Sequence, residues 1–117
     1  MPLAKIMTSV ALPTPEHRRD SMMATFSRTL AEITGKPERY VMITFEVAPV
    51  ILAGKPGPAA FCDIRGIGGL SPEINAAISK EFSALLNQWQ GIPLDRIYLN
   101  FSELAPTHWG FNGKTFG

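Results

Sequence analysis

Pro2, directly behind Met1, carries the least ordinary chemistry in the chain. A small residue after the initiator methionine favours its removal, and the proline would then hold a free secondary amine. Such an amine serves as a general base or a nucleophile once apolar burial and a nearby cation lower its pKa toward neutrality. The same dipeptide also fits an ordinary chain start, and a retained Met1 would leave an amide with no basicity. Lys36, directly after Gly35, is placed to bind a carboxylate or simply to complement a helix C-terminus. The run Gly66-Ile67-Gly68-Gly69 lets backbone amides approach an anion, or provides a flexible turn. It lacks the lysine and hydroxyl of a phosphate loop, and no G-x-G-x-x-G is present. His17, His108 and Cys62 show no metal-ligand spacing, and no serine stands in a G-x-S-x-G elbow, so neither metal nor hydrolase chemistry is expected. Trp109, Phe111 and Phe116, among glycines near the end, read as core packing or as the wall of an apolar pocket.

An internal duplication positions these groups. Sliding the chain against itself by about 56 positions pairs Pro2 with Pro58, Ala4 with Ala60, Phe26 with Phe82, Leu30 with Leu86, Gly35 with Gly91 and Phe45 with Phe101 without a gap. Met22, Phe26, Leu30 and Ile33 form a helical stripe mirrored by Ile78, Phe82, Leu86 and Trp89. Thr14-Pro15-Glu16 and Ser71-Pro72-Glu73 each predict a hydroxyl cap, a first-turn proline and an early acid; Gly35 and Gly91 predict the two helix ends. Alternation in Val41, Ile43, Phe45 and in Ile97, Leu99, Phe101 predicts a strand after each helix, and Leu3 to Val10 and Ala59 to Ile67 predict one before each. The reading is one domain over 1–117, with pseudo-repeats at 2–50 and 58–106 joined by the Gly- and Pro-rich stretch around Ala53 to Pro58. Two β-α-β units most simply form an α/β two-layer sandwich, a four-stranded mixed sheet with both helices on one face. The other face, carrying Met42 and Tyr98, is expected to be apolar and to drive self-association.

Composition narrows the partners. Eleven basic against ten acidic residues give a net charge of +1, too small a field to suggest nucleic acid or a membrane surface. The lone Cys62 excludes an intrachain disulfide, and no secretory leader is evident, so a cytoplasmic protein is expected. Val47 to Ala53 contains Pro49 and is far shorter than the roughly 20 apolar residues that span a bilayer.

Taken together, the Met-Pro start, TGKPERYV at 34–41, GIGG at 66–69, PLDRIYLNF at 93–101 and WGFNGKTFG at the end resemble the macrophage migration inhibitory factor family from end to end. The resemblance implies a homotrimer in which three sheets form an inner barrel surrounded by six helices, with active sites between subunits. It implies that Pro2 is the catalytic base, that Lys36 binds a substrate carboxylate and that the backbone amide of Ile67 assists. Tyr98 and Asn100 correspond to positions lining the pocket from the adjacent subunit, and Leu3, Tyr40, Trp109, Phe111 and Phe116 to its apolar wall. The implied reaction is keto-enol tautomerisation of a small aromatic 2-oxo acid such as phenylpyruvate, with no cofactor. Relatives with thiol-disulfide activity carry Cys-x-x-Cys; here the segment is Ala59-Ala60-Phe61-Cys62, which implies that this activity is missing.

Two competing functions stay open on these residues. One is a non-catalytic, cytokine-like module with a vestigial pocket and an unidentified protein receptor. The other keeps the proline but acts as a dehalogenase or decarboxylase, which would require arginines and an acid nearby; Arg65 is the one candidate on this pattern.

Overall fold

The computed structural model describes residues 1–117. Strands β1 (Leu3–Thr8), β2 (Met42–Val47), β3 (Ala60–Gly66) and β4 (Ile97–Glu103) form one sheet in the order β2-β1-β3-β4. Helices α1 (Glu16–Thr34) and α2 (Pro72–Gln90) connect the strands within each unit. β1 runs parallel to β2 and β3 parallel to β4, as a helical crossover requires, while β1 and β3 pair antiparallel at the centre. No helix is long and apolar enough to cross a membrane.

Each helix buries one stripe: Met22, Phe26 and Leu30 on α1, Ile78, Phe82 and Leu86 on α2. Four-residue spacing keeps each trio on one side of its helix. Below them lie Ala4 and Ile6 of β1 with Ala60, Cys62 and Ile64 of β3, all in the same buried cluster. Phe26 stands edge-on to both Phe82 and Phe45, with ring centroids 5.0 and 5.3 Å away. Both helices end at a glycine in the left-handed region, Gly35 at φ 70° and Gly91 at φ 67°, whose N–H groups donate to Ala31 and Asn87. Residues with a side chain are strained in that conformation.

Three expectations need adjustment. The helices do not open alike: Ser71 Oγ accepts from the Ile74 N–H at 3.1 Å, whereas in α1 Pro15 itself occupies the cap position and no side chain caps the helix. Thr14 therefore lies one residue too far out to act. The repeat is not gapless in the sheet, because Leu3 lies opposite Met42 but Phe61, rather than Ala59, lies opposite Tyr98. The loop from β3 to α2 is shorter than the one from β1 to α1, which absorbs the shift and leaves the helices in phase. Third, the helix-free face is not uniformly apolar. Met42, Phe61 and Tyr98 are exposed there, but Lys5, Thr44, Glu46, Asp63 and Asn100 share that face by strand alternation.

Replacing Ser71 with alanine should lower unfolding free energy by about 1 kcal/mol, the usual cost of a lost N-cap. Thr14→Ala should stay within about 0.5 kcal/mol of the parent, as for an exposed residue without partners. Urea denaturation of both variants checks the contrast.

Candidate active site

Pro2 enters the sheet just ahead of β1, where its carbonyl accepts from the Met42 N–H at 3.1 Å. Its ring is buried. Parallel pairing with β2 and antiparallel pairing with β3 place Leu3 between Met42 and Arg65. The start of the chain is thus fixed at one end of the sheet, at the floor of a cavity of about 490 Å³.

The wall opposite Pro2 is built from two distant segments. Tyr40 closes a single 3-10 turn at Glu38–Tyr40, between α1 and β2. Phe111 and Phe116 come from the other end of the chain, held by a hairpin of β5 (Gly110–Phe111) and β6 (Lys114–Thr115). Asn112 and Gly113 make the turn with φ of 54° and 82°, both left-handed. Asn-Gly suits such a turn, and its twist matches that of paired strands. The Phe116 N–H donates to the Trp109 carbonyl at 3.1 Å, extending the hairpin. Phe111 and Phe116 stack with rings 9° apart, and Tyr40 stands edge-on to both at 5.5 and 6.3 Å. The structure therefore brings Pro2, Leu3, Tyr40, Trp109, Phe111 and Phe116 together around one cavity.

Lys36 and Ile67 lie outside the residues that line it. Lys36 follows the Gly35 helix end and crosses the glycine run: a methyl group at Gly69 would come within 2.9 Å of Lys36 Cε, and one at Gly68 within 3.9 Å of Nζ. A methyl group at Gly66 would be 3.8 Å from the Met1 carbonyl oxygen, so the glycine run that holds Ile67 bridges from Lys36 to the chain start. Gly69, at φ 79°, thus meets two demands at once, a left-handed backbone and room for the lysine.

The electrostatics follow this placement. Burial holds the Met1 α-amine below its ordinary value of 8.0, and the charge of Lys36 adds to the effect. Both causes disfavour the protonated amine, so this end of the sheet favours a neutral, basic nitrogen. Tyr98 and Asn100 are elsewhere, exposed on β4 and separated from β1 by β3. No group of three or more His, Cys, Asp or Glu side chains is arranged to hold a metal ion.

Arg39 and His108 also line the cavity, with Arg65. Arg39 lies inside the TGKPERYV segment, where the resemblance gives roles only to Lys36 and Tyr40, and His108 is marked only by its neighbour Trp109. The hairpin had a readable signal in Asn112-Gly113, which a reading of 109–116 as an aromatic tail passes over.

The sequence matches the macrophage migration inhibitory factor family over residues 1–117. Macrophage migration inhibitory factor of Xenopus tropicalis is 31% identical over 117 residues, which are 99% of each chain. The macrophage migration inhibitory factor homolog of Trichuris trichiura is 32% identical over 117 residues, 99% of this chain and 100% of its own. The crystal structure of the homologue from Prochlorococcus marinus superposes with a TM-score of 0.90 at 34% identity, over 98% of this chain and 99% of that one.

Burial in the core pushes the Cys62 thiol up to about 12. Thiolate is the reactive form, so iodoacetamide at pH 8 should leave the folded protein unmodified and label it fully in denaturant, as intact mass would show.

Proposed function

This chain belongs to the macrophage migration inhibitory factor family, in the tautomerase superfamily, and on that footing we propose that it is a keto-enol tautomerase of phenylpyruvate-type 2-oxo acids. The observation that carries the proposal is the buried Pro2 at the floor of an aromatic cavity, at a chain end where burial and Lys36 already depress an amine. With Met1 attached, the Pro2 nitrogen is an amide. Removal of Met1 turns it into a secondary amine one residue deeper than the amine that is already perturbed.

In the proposed reaction the neutral Pro2 nitrogen takes a proton from the substrate carbon beside the ketone. The C–H electron pair becomes the C=C bond and the carbonyl oxygen takes the charge. The protonated proline then returns the proton to that oxygen, giving the enol; the reverse direction runs the same steps backwards. No oxidation state changes, so a proton carrier and a charge stabiliser suffice. Lys36 takes the substrate carboxylate, assisted by the backbone amide of Ile67, and offsets developing negative charge. Leu3, Tyr40, Trp109, Phe111 and Phe116 enclose the aromatic ring and exclude water, which keeps the amine neutral.

A homotrimer completes the proposed site. Tyr98 and Asn100 lie too far across the sheet to reach Pro2 of their own chain, and they stand exposed on a helix-free face that offers Met42 and Phe61 for burial. A neighbouring copy would bring them to the cavity rim. Sedimentation equilibrium should return three times the 12.8 kDa chain mass.

Protein freed of Met1, verified by mass, should turn over phenylpyruvate, while Pro2→Gly should lose about 100- to 10,000-fold, the usual contribution of a positioned base. Absence of turnover in Met1-free protein would instead favour a protein-binding module. The rate requires neutral amine, so kcat/KM should rise as pH rises through the proline pKa, with a midpoint below that of an unperturbed amine. A midpoint at the unperturbed value would remove the role given to burial and Lys36. Lys36→Ala should raise KM about tenfold for carboxylate substrates, the loss of one charge-assisted contact. Equal effects on substrates with and without a carboxylate would rule out that contact.

A further inference from the structure

The cavity wall contains three side chains able to carry positive charge, those of Arg39, Arg65 and His108, and no carboxylate. Arg65 already has a partner: its guanidinium donates to Asp63 at 2.9 and 3.4 Å. Arg39 has none. The ion pairs of this chain are Arg19 with Glu16 and Asp20, and Arg65 with Asp63. What holds Arg39 is the Tyr40 ring, whose centroid lies 4.7 Å from the guanidinium carbon. A guanidinium attracted to a ring face keeps its N–H donors free, arranged as a fork that fits a carboxylate. The same Tyr40 ring stands edge-on to Phe111 and Phe116, so the free cation is anchored to the aromatic wall itself.

Lys36 lies apart from this group, over the glycine run and outside the cavity lining. Lys36, over the glycine run, and Arg39, on the aromatic wall, are thus two separate cations; a substrate whose single carboxylate is taken by Lys36, as in the proposed reaction, leaves Arg39 unengaged. We propose that Arg39 is a second anion-binding residue of this site, and that the preferred substrate is a dianionic 2-oxo acid: an aromatic 2-oxo acid bearing a further carboxylate at the end remote from the ketone. The inference rests on reading the Pro2 cavity as the substrate site. An unpartnered arginine gains a charged hydrogen-bond acceptor, and no acidic residue in the wall repels the added charge. Arg39 is exposed, so the gain is moderated by water and weakened by salt.

The test compares phenylpyruvate with 4-carboxyphenylpyruvate in Met1-free protein, together with calorimetric binding of cinnamate and 4-carboxycinnamate, which undergo no tautomerisation. The expected result is a preference of about tenfold for the dianion in kcat/KM and in affinity, shrinking as salt is raised. Arg39→Gln should abolish that preference, Arg39→Lys should restore part of it, and Lys80→Gln, on the exposed side of α2, should retain it. Equal treatment of mono- and dianion by the parent protein would overturn the inference, as would a preference that survives in Arg39→Gln. A dianion preference in binding with no turnover of either substrate would support the anion site while refuting the tautomerase reading.

Discussion

Antiparallel pairing of the two central strands, Ala4 opposite Ile64 and Ile6 opposite Cys62, is the contact from which the rest of this molecule follows. Each β-α-β unit has a parallel strand pair and one helix, which is too little apolar surface to bury alone. Joining β1 to β3 makes one continuous floor, and both helices can then lie on it side by side. The floor sets small side chains at Ala4, Ala60 and Cys62 beside Ile6 and Ile64, and the helices supply the aromatic rings of Phe26 and Phe82. Mixing small and large side chains across facing layers lets them interdigitate.

The same pairing determines where the chain start can be. Because β1 is central, its first residue is flanked on both sides, by Met42 of β2 and Arg65 of β3, and Pro2 is buried although it stands next to the end of the chain. The C-terminal hairpin then folds over that end and adds two stacked phenylalanines to Tyr40. An amine at this point loses hydration and feels Lys36. These are the two conditions that turn a terminal amine into a base. The proposed chemistry is thus a consequence of the sheet order as much as of the proline.

The helix-free face combines apolar and charged positions. Met42, Phe61 and Tyr98 give it area to bury, while Lys5, Glu46 and Asp63 make indiscriminate sticking costly, since buried charges require partners. Such a surface suits one specific arrangement of copies better than a purely oily face would.

Much of this was written into the chain in local form. The helical stripes Met22-Phe26-Leu30 and Ile78-Phe82-Leu86, the glycine ends at Gly35 and Gly91 and the strand alternation before Phe45 and Phe101 are periodic or stereochemical signals. They depend on neighbours a few positions away, so the sequence by itself determined the two β-α-β units, the two-layer class and, through Met-Pro, TGKPERYV and WGFNGKTFG, the family. It did not determine that Pro15 rather than Thr14 sits at the α1 cap, because that depends on how the chain leaves β1. Nor did it determine the shifted equivalence of β1 and β3, since a strand slipped by two residues keeps every side chain on the same face. Arg39, Arg65 and His108 come from three segments that meet only when the sheet closes and the hairpin folds over its end. Whether a cation is free or neutralised depends on distances between atoms far apart in sequence, as Arg65 beside Asp63 and Arg39 beside only a ring illustrate. Tertiary structure alone decided those distances, because charge pairing acts through space and leaves no periodic trace in the order of residues.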